Sequence, residues 1–135
     1  MAKISGKLKE YLRNHLAFVA TADLKGRPNV VPKGNLAVLD EGTIVFADLY
    51  NHQTKKNLLV NPNIAITVVN PAGYTGYQLK GKAKIIGRGL EYDKLVKLLG
   101  QDGQLSHPDA KYAVKANVTK IIDIGYGEFA DKEIR

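Results

Sequence analysis

Apolar residues in this chain fall in short runs separated by turn formers. Leu16-Ala17-Phe18-Val19-Ala20-Thr21-Ala22 reads as a buried strand, ended by Asp23-Leu24-Lys25-Gly26, a hairpin turn in which glycine supplies a positive φ. Pro28 to Leu39 returns as a second strand, interrupted around Pro32-Lys33-Gly34-Asn35. Proline cannot donate to a ladder and glycine weakens one, so a bulge or a strand edge is expected there. Asp40-Glu41-Gly42 turns the chain into Thr43 to Ala47, and Ile64 to Val69 is stopped by Asn70-Pro71-Ala72-Gly73. From Tyr74 to Ile86, Leu79, Gly81, Ala83 and Ile85 oppose Gln78, Lys80, Lys82 and Lys84, a half-buried strand with one wet face. Ala113 to Ile124 is a last alternating strand.

Helical spacing appears in three places. Ile4, Leu8, Tyr11 and Leu12 mark one helix up to His15, with Ser5 as its cap, and Tyr92, Leu95, Val96, Leu98 and Leu99 mark another, ended by Gly100. Gln101 to Asp109 reads as a polar loop containing His107. The third helix is short and polar, within Asn51-His52-Gln53-Thr54-Lys55-Lys56-Asn57-Leu58-Leu59-Val60-Asn61-Pro62. Six strands at short spacing with hairpin turns predict a mainly β fold, an antiparallel barrel rather than βαβ units, as one domain over residues 1–135. Side chains fill a small barrel, so a ligand belongs on its rim or at a subunit boundary.

The polar helix is the chemically suggestive segment. Its N-terminal amides, the Thr54 hydroxyl and the ammonium groups of Lys55 and Lys56 can face one anion, and a phosphate suits them best. The net charge of +7 agrees with an anionic ligand but does not select one, because the lysines are spread along the chain without a block of like charge.

Other chemistries find little support. The chain contains no cysteine, which excludes disulfides, thiol catalysis and thiolate metal sites. His52 has Asp48 nearby but no second histidine at ligand spacing, so no metal site is expected. The pairs Glu91 with Asp93 and Asp40 with Glu41 sit at helix starts or turns, where acids serve the local backbone. With no Ser-His-Asp order, Walker loop or dinucleotide fingerprint, no catalytic residue is assigned. Aromatic residues are few and do not interleave with lysine, which argues against a nucleic-acid partner. No signal peptide or membrane span is apparent, so a cytoplasmic protein without a membrane partner is expected.

Two local patterns give the chain a family resemblance. One is Leu16 to Ala22 followed by Gly26-Arg27-Pro28-Asn29-Val30-Val31-Pro32, and the other is His52-Gln53-Thr54-Lys55-Lys56-Asn57-Leu58 followed by Asn61-Pro62. In register, and together with the order of elements, they resemble the FMN-binding split-barrel family, which includes pyridoxamine 5′-phosphate oxidase and small FMN-binding proteins. The resemblance runs from about Leu8 to Ile124. It implies a six-stranded antiparallel split β-barrel of Greek-key type and a homodimer with FMN at the subunit interface. It places Val31, Pro32 and Lys33 along the isoalloxazine edge, Lys33 adding positive charge near the flavin pyrimidine. Ala47 and Asp48 fall beside the ring or ribityl chain, and Gln53, Thr54, Lys55 and Asn57 fall on the phosphate helix.

The chain departs from the pattern where relatives commonly have an Arg-Lys or Lys-Thr pair. Here Gln53 puts a neutral amide in place of the first cation. It also lacks the C-terminal extension with which vitamin B6 oxidases hold their substrate, so pyridoxamine phosphate oxidase activity is not expected. The resemblance implies an FMN-dependent oxidoreductase or electron carrier with a small-molecule or protein redox partner. Alternatives are a member of the fold that binds F420 or haem, a flavin-binding protein without turnover, and a nucleic-acid-binding small barrel.

Overall fold

The computed structural model describes residues 2–34, 36–48, 52–101, 112–128 and 130–134. Helix α1 (Gly6–Asn14) leads into strands β1 (Ala17–Ala22), β2 (Pro28–Lys33), β3 (Ala37–Asp40) and β4 (Thr43–Asp48). Helix α2 (His52–Val60) follows, then β5 (Asn63–Asn70), β6 (Thr75–Ile86), helix α3 (Leu90–Gln101), β7 (Tyr112–Asp123) and β8 (Lys132–Ile134). The expected cap is present, for Ser5 Oγ accepts from the Leu8 N–H at 3.1 Å. Helix α3 runs through Gly100 to Gln101, and the expected loop with His107 lies outside the described residues.

The fold is mainly β, with three helices and eight strands rather than six among the described residues. The long second segment divides at Gly34 into β2 and β3, and β8 adds three residues against β7. All pairings are antiparallel, in the order β2-β1-β5-β6-β7-β4-β3.

That order forces the sheet to curl. Strands β2 and β3 occupy opposite ends of a seven-strand path, which laid flat would separate them by about 29 Å. Yet Lys33 ends β2 and Ala37 begins β3, and the links between them reach at most about 14 Å. The end of β2 and the start of β3 are therefore brought together, leaving a seam there. Lys33 spans this seam, its Nζ lying 5.7 Å from the ring centroid of Phe46 on β4.

Two cores follow from the alternation of β4. Ile44 and Phe46 enter the main core with Val19, Ile66, Val68, Leu79, Val114 and Ile121, closed by Leu8 and Leu12 of α1 and Leu58 of α2. Val45 and Ala47 enter a second core with Leu95 and Leu99 of α3. All four β4 residues are fully buried, as expected of a strand covered on both faces. Gly81 marks a register shift between β6 and β7, and a Cβ there would collide with the Asn117 carbonyl. Among the described residues no helix is long and apolar enough to cross a membrane.

Candidate functional site

Strand β2 is an edge strand with two different faces. Pro28, Val30 and Pro32 are exposed, whereas Asn29, Val31 and Lys33 turn inward. Edge position explains how a strand holds two prolines. Val31 lies opposite Val19 and packs on the main core, and Pro32 lies opposite Phe18. Lys33 is 8% exposed.

Helix α2 is fixed to this strand pair by polar side chains. Asn57, buried, donates through Nδ2 to Thr21 Oγ1 at 3.0 Å and accepts at Oδ1 from Gln53 Nε2 at 2.9 Å. Thr54, also fully buried, receives a long contact from Asn29 Nδ2 at 3.4 Å. The buried amide and hydroxyl groups are thus satisfied within the protein. Beyond the helix, Asn61 Oδ1 accepts from the Asn63 N–H at 3.2 Å, an Asx turn that starts β5 around Pro62.

A polar cleft of about 340 Å³ opens between these elements, lined by Asp23, Arg27, Pro28, Asn29, Gln53 and Asn57. The β1–β2 turn forms its outer wall. Asp23 Oδ1 accepts from the N–H groups of Lys25 and Arg27 at 2.9 and 3.0 Å, and Oδ2 accepts from Arg27 Nε at 2.6 Å. The Arg27 backbone and side-chain hydrogen bonds hold the Asp23 carboxyl below its usual value of 3.8. Gly26, with φ +80, closes the turn.

The sequence-predicted residues divide accordingly. Gln53, Thr54 and Asn57 come together with Asn29 at the start of β2, while Lys33 lies at its far end, about 13 Å along the strand. Lys55 turns away from the cleft lining and places Nζ 5.3 Å from the ring centroid of Tyr112. Asp48 closes β4 opposite Tyr112. The Ala47 methyl is fully buried in the second core, so only its main chain is available to a ligand.

Sequence reading did not single out Thr21, Asp23, Arg27 or Asn29 as site residues. Strand alternation offered a signal for two of them, since Arg27 and Asn29 share the parity of Val31 and Lys33. A larger groove of about 850 Å³, lined by residues including Val69, Tyr74, Ile124 and Tyr126, shares no residue with the cleft. Among the described residues no group of three acidic or histidine side chains could hold a metal.

Comparison with known proteins agrees with this architecture. An uncharacterized protein of Methanocaldococcus jannaschii is 33% identical over 138 residues, 99% of this chain and 89% of that protein. The crystal structure of HupZ from Group A Streptococcus superposes with a TM-score of 0.81 at 29% identity, covering 94% of this chain and 98% of HupZ. An FMN-binding protein from Syntrophomonas wolfei shares the fold at a TM-score of 0.73 and 15% identity, covering 89% of this chain and 85% of that one. The pyridoxamine 5′-phosphate oxidase family model matches residues 4–123, and with the curled antiparallel sheet and the α2 cleft in place the chain belongs to that family of FMN-binding split barrels.

Proposed function

We propose that this protein binds FMN with its phosphate in the α2 cleft and its ring along β2, and acts as an oxidoreductase or electron carrier. The observation that carries this reading is the polar cleft itself, in a chain of this family. Its lining offers guanidinium and carboxamide donors, which suit a phosphate, beside the Asp23 carboxylate paired with Arg27, and no cluster of apolar side chains. At the other end of β2 the buried Lys33 supplies a cation, and the span of about 13 Å between them leaves room for a ribityl chain.

The flavin, when bound, supplies the transfer of electrons or hydride. The protein's own residues bind and orient. Gln53 and Asn29 present side-chain amides at the phosphate end, while Thr54 and Asn57 keep α2 seated on β1 and β2. Lys55, on the same helix, lies outside the cleft lining and over Tyr112. Lys33, held at the seam over Phe46, favours negative charge developing near the ring.

The cleft is at the small end of ligand sites, which enclose about 300–1,000 Å³, so one chain alone leaves a flavin ring largely uncovered. A second copy covering the ring is the arrangement we propose, and Val30, 60% exposed on the outer face of β2, offers apolar surface for it.

Visible absorption of the purified protein, recorded before and after adding FMN and desalting, tests the reading. A flavin band retained at about one per chain supports it. Protein that emerges colourless after FMN loading overturns it, and haem and F420 become the ligands to try.

A further inference from the structure

The cleft lining contains a cation, although position 53 of the helix lacks one. Among its lining residues Arg27 alone is cationic, since Gln53 is neutral and gives one of its two amide N–H groups to Asn57 Oδ1. Lys55 is directed at Tyr112.

Arg27 is held by one edge of its guanidinium. A guanidinium has five N–H donors, and Asp23 Oδ2 takes the one on Nε, at 2.6 Å. Among the described residues nothing bonds the two terminal nitrogens, and the side chain is 73% exposed. The fork that suits a phosphate is therefore left open while the inner edge is anchored.

The anchor is itself rigid. Asp23 N–H donates to the Arg27 carbonyl at 3.1 Å and Gly26 N–H to the Asp23 carbonyl at 3.1 Å, so both partners sit in one closed turn. Asp23 already accepts from two backbone N–H groups and from Arg27. Its oxygens are thus engaged by the turn, while its negative charge stays in the cleft lining and offsets part of the Arg27 charge. An arginine fixed before binding loses less conformational freedom than a free one.

We infer that Arg27, positioned by Asp23, is the residue that binds the flavin phosphate in this chain, taking the place of the helix cation that Gln53 has lost. The inference rests on the FMN reading above. It makes Arg27 a binding residue and Asp23 a positioning residue.

The test compares FMN with riboflavin, which lacks the phosphate, by flavin fluorescence titration of the wild-type chain, Arg27→Gln, Arg27→Lys and Lys55→Gln. Arg27→Gln is expected to weaken FMN about tenfold or more while changing riboflavin less than about twofold. Arg27→Lys, which keeps charge without the fork, should fall between. The inference is overturned if Arg27→Gln leaves the preference for FMN over riboflavin unchanged, or if Lys55→Gln costs FMN more than Arg27→Gln does. Equal wild-type affinity for the two flavins overturns it too, while leaving flavin binding intact. A wild-type chain that binds neither flavin overturns the FMN reading and this inference together.

Discussion

Asn57 Nδ2 donates to Thr21 Oγ1 at 3.0 Å, joining α2 to β1 across 36 residues of chain with both side chains buried. Gln53 in turn donates to Asn57 Oδ1, so one carboxamide uses both ends. Truncation strands the Thr21 hydroxyl and opens a void beneath the helix. Asn57→Ala should cost about 1–3 kcal/mol, read as a lower urea midpoint with an unchanged m-value. A midpoint within error of wild type would show that Leu58 and Thr54 seat α2 without this bond.

The β6–β7 pair holds a second point of sensitivity. At Gly81 an added Cβ meets the backbone of Asn117 and Val118 rather than a movable side chain. Gly81→Ala should therefore destabilise by about 3 kcal/mol, near the top of the range for overpacking. Gly34→Ala, where nothing lies within 4 Å, is the matched control and should stay near wild type in thermal unfolding.

Gly81 also shows where sequence reading stops. Periodicity placed it on the inward parity of a strand, and the alternation of Lys80, Lys82 and Lys84 against Leu79 and Ala83 is present in the structure. The bulge comes from the extra residue Thr119 between Val118 and Lys120 of β7, far along the chain, and no local pattern announces it. The same division runs through the site. Helix α2 was legible because its polar residues interrupt two apolar runs, and the break at Gly34 because proline and glycine restrict the ladder locally. Arg27 enters the sequence reading only within the Gly26 to Pro32 pattern, because its meeting with Gln53 and Asn57 depends on how α2 packs over β1. Lys33 over Phe46 depends on the closure of the sheet, which pairing order alone reveals.

Like charges face each other on the outer side of β6 and β7. Lys80 is directly opposite Lys120, and Lys84 opposite Lys115. Such pairs oppose folding, so Lys80→Glu should stabilise by roughly 0.2–1 kcal/mol and raise Tm. The gain should shrink as salt is added, because both side chains are exposed. A salt-independent gain would point to propensity rather than charge.

Asp23 gives the fold an acid-sensitive turn. Hydrogen bonds from Arg27 lower its carboxyl pKa below the usual 3.8. A group depressed in the folded state contributes stability above its unfolded value and loses it as pH falls through the folded one. The contribution is therefore complete at neutral pH and disappears below 3.8. Asp23→Asn should be less stable than wild type at neutral pH, and the gap between their urea midpoints should narrow in acid. A gap that stays constant with pH would mean that the turn is held by geometry and not by charge.

Lys33 ties the fold to the proposed redox role. Its ammonium is buried at the seam and lies over the Phe46 ring, so little water screens it from a neighbouring ligand. A fixed positive charge stabilises a flavin that gains negative charge on reduction. Lys33→Gln keeps much of the side-chain volume and removes that charge. With FMN bound, the variant should be harder to reduce, its two-electron midpoint potential moving negative. Each tenfold change in the relative binding of oxidised and reduced flavin corresponds to about 30 mV. FMN affinity in the oxidised state should change much less than the potential, which separates an electronic role from a collapsed seam. A potential equal to wild type would place the ring elsewhere than the Lys33 end of β2, and the orientation proposed for the ligand would have to be reversed.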